Sequence, residues 1–327
     1  MTAVTPDHDE LVATMTGGMV PRGERPFAGS DLLRPDGRPR PEFRAELRRI
    51  QDMRNVLTVL SVLAVPIAVV WAVMAVDRWW AVPPAIAAMG IVQNRLYILH
   101  HEAAHRLLFS NRRINDVIGV NILGWLAFGT GTHHYRRGHA NHHRDEFGPN
   151  EPDFLLYAFY PIVKASFRRK LRRDLTGVSA YRIMKPRFTG LRTDAYLRIS
   201  LRFFAGQILV ITLFVLAGAP LLYIWLWLVP YLTWYQIQNR LRSIAEHGGM
   251  TRSGDRRDTT HHVEQTILAR LFMVPYGVGY HLAHHVDSGV PFRNLPRLHQ
   301  ALHDAGYLEG ASLWPSYTAL WRALSRG

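Results

Sequence analysis

The stretch VLTVLSVLAVPIAVVWAVMAV, residues 56–76, contains no charged side chain. At a rise of about 1.5 Å per residue, a helix of this length crosses a hydrocarbon core about 30 Å thick. A polar break at residues 77–78 is followed by two tryptophans, an aromatic pair typical of a membrane interface. A second apolar run then extends from Ala81 to about Leu99. The pattern predicts a transmembrane hairpin.

Two further apolar segments follow. The block from Phe203 to Tyr235 is about twice the length of one span, and Gly218, Ala219 and Pro220 are placed to break it. This block predicts a second hairpin. The run 117–131 is too short to span comfortably and predicts a re-entrant or interfacial helix. We therefore expect an all-α integral membrane protein with about four transmembrane helices in two hairpins.

Lysine and arginine set the expected orientation. They are dense between Lys164 and Arg202, whereas the turn at residue 77 has one arginine and the turn at Gly218 has none. By the positive-inside rule, the basic loop and both termini face the cytosol, and the histidine-rich segments form a cytosolic helical cap. The same rule accounts for the net charge of +14, so we do not expect nucleic acid as a partner.

The expected domain boundaries follow from composition. Residues 1–50 lack the apolar segment of a cleavable signal peptide, and the Pro-, Gly- and Arg-rich stretch 21–41 is typical of a poorly ordered arm. We expect a flexible cytosolic arm over 1–50, a membrane domain over 51–310 and a tail over 311–327.

Histidine is the residue type that points to chemistry. The chain has 17 histidines and no cysteine, so any metal must be held by nitrogen and oxygen ligands. His101 and His105 are spaced i, i+4 and share one helical face. Two later segments repeat the spacing HxxHH, in which i, i+3 and i+4 converge on one side. The eight candidate ligands are His101, His105, His139, His142, His143, His281, His284 and His285.

Eight imidazoles are too many for one metal ion. Neutral imidazole binds iron, zinc, copper and nickel, and a single such ion needs three or four protein ligands. Two metal ions can share the eight ligands, and each ion then keeps an open position where dioxygen can bind.

These boxes resemble the membrane fatty acid desaturase and hydroxylase family, whose pattern is HxxxH, then HxxHH, then H or Q followed by xxHH. The similar flanking segments are 150–153 (NEPD), Val290–Pro291 and 295–299 (LPRLH). The departures are small: Glu102 stands where many members have Asp, and Ala103 and Ala104 replace a common Cys-Gly.

The resemblance implies a non-haem di-iron centre, with two iron ions cycling between Fe2+ and Fe3+ and O2 as co-substrate. It implies desaturation of a long-chain fatty acyl substrate carried as acyl-lipid, acyl-CoA or acyl-ACP, in a bacterial plasma membrane with a cytosolic active site. Family members often have one more ligand before the third box, and His247 occupies that position. No His-Pro-Gly-Gly haem motif is present, which implies an external electron donor, a ferredoxin or similar protein with its reductase.

Other functions share parts of this pattern. A membrane di-iron hydroxylase or oxygenase of a lipid or alkane has the same boxes. The segment HEAAH, residues 101–105, also matches the zinc protease motif HExxH, although a zinc protease leaves two boxes unused. A metal transporter is disfavoured because transporter sites lie near the bilayer midplane.

Residues around the boxes have expected supporting roles. Carboxylates can fix imidazole tautomers, and the basic run 168–173 can bind phosphate or simply follow the positive-inside rule. The candidate carboxylates are Glu146, Asp153, Glu246, Glu264 and Asp287. We expect structural roles for the histidines outside the boxes, His100, His133, His134, His261, His262, His299 and His303.

Overall fold

The computed structural model describes residues 7–326, which are mostly helical. The predicted helical class is confirmed. In chain order the α-helices are α1 (His8–Met15), α2 (Pro41–Leu47), α3 (Asp52–Val76), α4 (Val82–Ala104), α5 (Arg112–Ile114), α6 (Leu123–Leu126), α7 (His134–Arg144), α8 (Phe154–Tyr157), α9 (Lys164–Leu175), α10 (Val178–Thr189), α11 (Asp194–Leu216), α12 (Pro220–Tyr223), α13 (Val229–Leu232), α14 (Trp234–His247), α15 (Arg256–Thr259), α16 (Ile267–Phe272), α17 (His281–Val286), α18 (Leu295–Asp304) and α19 (Tyr317–Leu324).

Shorter elements join these helices. The 3-10 turns are Trp79–Ala81, Gly190–Arg192 and Pro275–Gly277, and the π-helices are Asn115–Ile122 and Ile224–Leu228. Strands β1 (His262–Val263) and β2 (Leu313–Trp314) pair in parallel. The chain divides into two compact units. The first unit comprises Met1–Arg49, Arg137–Phe167 and Arg240–Gly327, and the second comprises Ile50–Arg136 and Arg168–Asn239.

Two helices of the second unit, α3 and α11, are long and apolar enough to cross a membrane. A core helix of a soluble protein would be mostly buried, but only 17% of the most apolar stretch of α3 and 33% of that of α11 are buried. Their large side chains face outward: Ile67 and Trp71 of α3 are 71% and 70% exposed. Length, hydropathy and exposure are therefore those of lipid-facing helices.

The other two predicted spans are less regular. Helix α4 packs along α3 and is 23 residues long, but its polar residues lower its hydropathy below that of a typical span. Buried Gln93, for example, donates to the carbonyl oxygen of Trp227 at 2.7 Å. Residues 220–232 alternate between short α-helices and a π-helix after the predicted break at Gly218. The four-span count stays a prediction.

The remaining apolar run, 117–131, forms helix only in short pieces. The π-helix Asn115–Ile122 continues into α6, a single turn that ends at Leu126. These pieces together are shorter than a spanning helix needs, which agrees with the prediction that this run does not cross the membrane.

The N-terminal arm has more contacts than a flexible arm would have. Leu33 is fully buried, and Arg44 donates through Nη2 to the Asp287 carboxylate at 3.0 Å. The Asn294 amide donates to the carbonyl oxygen of Leu47 at 2.7 Å. The arm is thus attached, within the first unit, to the segment that follows the third histidine box.

The predicted C-terminal tail also belongs to the first unit. Strand β2 pairs with β1, and Leu320 and Leu324 of α19 are fully buried. The indole Nε1 of Trp321 donates to the carbonyl oxygen of Leu241 at 2.9 Å. Helix α19 therefore packs near the end of α14, which carries His247.

Close packing at Gly206 offers a test of the second unit. A Cβ atom built at Gly206 of α11 would lie 2.4 Å from Cγ of Trp125. We expect Gly206→Val to lower the free energy of unfolding by about 1–3 kcal/mol, because the indole has to move. Thermal unfolding in detergent would measure this loss. Ala205→Val, at the exposed neighbouring position, is the control and should have little effect; equal melting temperatures would contradict the packing.

Candidate metal centre

The second histidine box lies on α7, and its three histidines belong to two different groups of side chains. His139 and His143, one turn apart, bring their Nε2 atoms to 3.1 Å from each other. Together with His284 of the third box they form cluster A, in which the ligand atoms lie within 4.8 Å of one another. His142 lies between them in sequence and belongs to a different group.

The third box, on α17, also contributes to two clusters, with one histidine in cluster A and two in the other. His284 joins cluster A, whereas His281 and His285 join His142 and His247 in cluster B. All four histidines of cluster B are buried, and their ligand atoms also lie within 4.8 Å of one another. Each HxxHH box therefore contributes to both clusters, two residues to one and one residue to the other.

The spacing of the ring nitrogens fits a shared metal. Two nitrogens bound to one ion at about 2.1 Å lie about 3.0–3.4 Å apart for bond angles between square and tetrahedral. The Nε2 atoms of His139 and His143 are 3.1 Å apart, and so are those of His247 and His281. Without a proton or a cation between them, the lone pairs of such nitrogens repel.

Hydrogen bonds at Nδ1 determine which nitrogen carries the lone pair. His247 Nδ1 lies 2.8 Å from the carbonyl oxygen of Thr259, which can only accept, so Nδ1 carries the proton. His142 Nδ1 lies 2.9 Å from both carboxylate oxygens of Glu151, and His285 Nδ1 donates to Glu146. In all three residues Nε2 is left as the metal-binding atom.

A buried nitrogen without a partner supports the same conclusion. Nε2 of His285 is buried and makes no hydrogen bond to any part of the chain that the structure describes. A buried polar atom normally finds a partner, so an orphan within a ring of imidazoles marks the place of a ligand. With no cysteine in the chain, the donor set is all imidazole, and it suits iron or another first-row transition metal.

The electrostatics of cluster B favour metal binding at three positions. Burial, followed by the charge of neighbouring groups, lowers the pKa values of His247, His281 and His285 well below their usual range. These rings are neutral at pH 7, as ligation requires. His142 differs: burial lowers its pKa, but the hydrogen bond and charge of Glu151 outweigh burial and raise it to about 9. A cation at His142 Nε2 would take the place of that proton.

Arg256 forms an ion pair with the Glu146 carboxylate. Its Nη1 lies 2.9 Å from Oε2 of Glu146, and its Nη2 donates to the carbonyl oxygen of His143 at 3.1 Å. Burial raises the pKa of Glu146, and the charge of Arg256 opposes that effect. One guanidinium thus contacts both the backbone of the second box and the carboxylate that orients the third.

An apolar wall lies beside cluster B. The rings of Phe147 and Tyr157 lie 6.3 Å and 5.1 Å from the ring of His247. Both aromatic residues are buried in a core group with Val12 of α1 and Met250. This wall keeps water from one side of the cluster.

The first box lies in the second unit, at the end of α4. The rings of His101 and His105 are 4.8 Å apart, as the i, i+4 spacing predicts. The last turn of the helix is capped by Arg136, which donates to the carbonyl oxygens of Ala103 and Ala104 at 3.0 Å and 2.9 Å. The structure thus brings seven of the nine predicted ligands together in the first unit and pairs the other two in the second.

The five predicted carboxylates differ in whether they contact the histidines of the clusters. Glu146 contacts His285, and Glu246 lies 3.5 Å from Nδ1 of His281. Asp153 groups with His142 and Glu151. Glu264 is 73% exposed and lies beside His262, and Asp287 is paired with Arg44.

Two of the histidines outside the boxes have clear structural roles. His261 uses both ring nitrogens in hydrogen bonds, to Oγ of Ser312 and to the carbonyl oxygen of Gly248, which leaves no lone pair for a metal. His100 Nδ1 lies 2.9 Å from the carbonyl oxygen of Gly119.

Sequence reasoning missed two supporting residues. Glu151 lies in the tract 150–153 that follows the second box, so a buried carboxylate there was detectable from its position. Arg256 had no such signal, because it lies in a polar segment, 251–258, that looks like an exposed loop.

Comparison with known proteins identifies the family. Residues 77–317, which are 241 of the 327, match the sequence model of the fatty acid desaturase family, so the chain belongs to that family and the predicted resemblance is confirmed. The chain is also similar to dihydrorhizobitoxine desaturase from Bradyrhizobium elkanii, with 27% identity over 257 aligned residues that cover 72% of each protein. Family and relative support an oxidoreductase that uses a metal cofactor, and together with the two apolar helices they point to membrane association.

Loss of the Glu151 charge should weaken the metal site. Because Glu151 holds Nδ1 of His142, we expect Glu151→Gln to lower metal affinity by about 10- to 100-fold. Competition with a chelator of known affinity would measure this change. Glu309→Gln, at an exposed carboxylate, is the control. Unchanged affinity in Glu151→Gln would rule out the orienting role.

Arg256 should act through Glu146. Arg256→Met leaves a buried carboxylate without its cation, and we expect it to lower both the melting temperature and the metal affinity, the latter by about tenfold. Arg256→Lys keeps the charge and should recover part of both. If the Lys and Met variants lose metal equally, the charge of Arg256 has no part in the effect.

Proposed function

We propose that this protein is a membrane desaturase that removes two hydrogens from adjacent methylenes of a long-chain fatty acyl substrate. The reaction consumes one O2, two electrons and two protons, and it yields one double bond and two waters. Two of the four electrons that reduce O2 come from the C–H bonds, and an external donor supplies the other two. The proposed cofactor is a pair of iron ions.

The observation that carries this proposal is the division of each HxxHH box between two clusters. A single metal would leave one cluster unused, whereas two metals use all seven histidines of the first unit. The proposed ligands are His101, His105, His139, His142, His143, His247, His281, His284 and His285.

Iron bound at these histidines would supply O2 activation and the oxidising power to break an unactivated C–H bond. The protein residues position and protect that centre. Glu146, Glu151 and the Thr259 carbonyl orient imidazoles toward the clusters. Phe147 and Tyr157 exclude water from the side of cluster B, which limits side reactions of the oxidant.

The family name and the two exposed apolar helices support the proposed substrate. A long acyl chain partitions into the same apolar phase that α3 and α11 face. The carrier can be a lipid, CoA or an acyl carrier protein. The relative in Bradyrhizobium elkanii is named for dihydrorhizobitoxine rather than for an acyl chain, so product analysis has to include polar metabolites.

The proposed location is a bacterial plasma membrane, with four spans and the metal centre on the cytosolic side. The support is the dense run of basic residues between α8 and α11, which the positive-inside rule assigns to the cytosol. Electrons would come from a ferredoxin or a similar protein with its reductase.

Product identification tests the reaction directly. The chain would be expressed in a host that lacks the activity, and the host lipids would be analysed by mass spectrometry. We expect acyl products lighter by two hydrogens, while an added oxygen atom would identify a hydroxylase. Unchanged lipids from an iron-loaded, reducible protein would contradict an acyl substrate.

Removal of a box histidine should abolish metal and activity together. We expect His284→Ala to lose iron from cluster A and all measurable turnover, since His284 is the one histidine that the third box contributes to that cluster. Metal analysis and product assay on the same preparation would test this. His303→Ala, at a 67% exposed histidine outside the boxes, is the control. Turnover retained in His284→Ala would refute the ligand assignment.

Metal content separates this proposal from a zinc protease that uses the HEAAH segment. A desaturase should bind two irons per chain and a protease one zinc. Glu102→Gln should abolish proteolysis only in the second case, because there Glu102 would be the general base.

A further inference from the structure

The first turns of α11 carry three charged residues one turn apart, Asp194, Arg198 and Arg202. They line an open groove of about 510 Å3 on the surface of the second unit. The other lining residues are apolar: Leu197, Leu201 and Ala205. Three charged and three apolar side chains of α11 thus line the groove.

Asp194 and Arg198 have no partner among the residues that the structure describes. Acidic and basic residues at i and i+4 of a helix commonly form an ion pair. Here neither side chain makes an ion pair or a hydrogen bond with any other residue between 7 and 326. Arg202 is different, because its Nη2 donates to the carbonyl oxygen of Gly131 at 3.2 Å and its guanidinium lies 5.7 Å from the ring centre of Trp125. The groove therefore offers one carboxylate and one guanidinium to a ligand.

The groove lies where α11 changes from charged to lipid-facing. Beyond Arg202 the outward side chains of this candidate span are apolar: Ile208 is 62% exposed and Leu213 54%. Leu201, which lines the groove and is 54% exposed, lies on α11 between the charged residues and this apolar stretch. A ligand that fits both parts must have a charged head and an apolar tail.

We propose that this groove binds the headgroup of a phospholipid with a primary ammonium, that is, a phosphatidylethanolamine. Asp194 would hold the ammonium and Arg198 the phosphate, with the glycerol and acyl chains along Leu197, Leu201 and Ala205. Asp194 and Arg198 lie about 6 Å apart along the helix axis. Asp194 is the farther of the two from the apolar stretch of α11, just as the ammonium of the lipid is farther than the phosphate from the acyl chains. The inference rests on the proposed membrane location and is independent of the proposed chemistry.

Charge complementarity favours this headgroup over other phospholipids. Phosphatidylglycerol has a phosphate for Arg198 but no ammonium for Asp194, so its net negative charge is attracted by the two arginines and repelled by a carboxylate that stays without a partner. Phosphatidylcholine has no N–H group to donate to Asp194, because its nitrogen is fully methylated. The primary ammonium and the phosphate together match both free charges.

Native mass spectrometry of the full-length protein, purified in detergent and mixed with one lipid at a time, would measure retention. The probes are phosphatidylethanolamine, phosphatidylglycerol and phosphatidylcholine with identical acyl chains. We expect the ethanolamine lipid to be retained at least about fivefold better than either of the others, as one extra charge-assisted hydrogen bond implies. Equal retention of all three lipids would overturn the proposal.

Two variants assign the contacts. Arg198→Gln should lower retention of all three lipids about tenfold, since each has a phosphate. Asp194→Asn should selectively lower retention of the ethanolamine lipid and raise that of phosphatidylglycerol. Arg192→Gln removes the same charge from a nearby exposed arginine that does not line the groove, and it should behave like the wild type.

The lipid-binding results can be distinguished from a failure of the proposed desaturation. If Arg192→Gln weakens retention as much as Arg198→Gln, the surface is a general basic patch and the site is refuted. Iron content and product formation are measured separately, so loss of a lipid preference and loss of desaturation are distinct results.

Discussion

Imidazole nitrogens whose lone pairs face one another repel, as the Nε2 atoms of His139 and His143 and of His247 and His281 do at 3.1 Å. Holding the histidines together in two clusters is the constraint on which the site in the first unit depends. The repulsion is opposed from outside the clusters. Carboxylates or a carbonyl oxygen bind Nδ1 of His142, His247 and His285 and prevent these rings from turning away. Those groups are held in turn, as Arg256 shows by binding Glu146 and the backbone of the second box. The groups that surround the histidines therefore fix the orientations of the imidazole rings.

The histidine spacing identified the candidate ligands but not how they group. The i, i+3, i+4 pattern predicts that His139, His142 and His143 share one side of a helix, and all three lie on α7. Which cluster each joins depends on how α7 meets α17, about 140 positions later in the chain, and no local pattern encodes that contact. The supporting residues were predicted only in part for the same reason. Glu146 lies close to the second box in sequence, whereas Arg256 reaches Glu146 from a distant segment.

The apolar pattern predicted α3 closely, because a charge-free run has one favourable environment. The start of α11 was predicted nine residues too late, since the charged turns from Asp194 to Arg202 look like a loop but continue the helix. The N-terminal arm shows the opposite effect. Its proline and glycine content suggested a flexible segment, yet Arg44 and the backbone at Leu47 contact the chain after the third box. Long-range contacts of this kind override composition.

The sharing of each box between two clusters has a consequence for how such a centre can arise. A site built from independent modules can gain or lose one metal without disturbing the other. Here a one-residue slip of either α7 or α17 would misplace histidines of both clusters at once. Neither helix can therefore be replaced by a segment that serves one cluster alone, because each helix carries histidines of both.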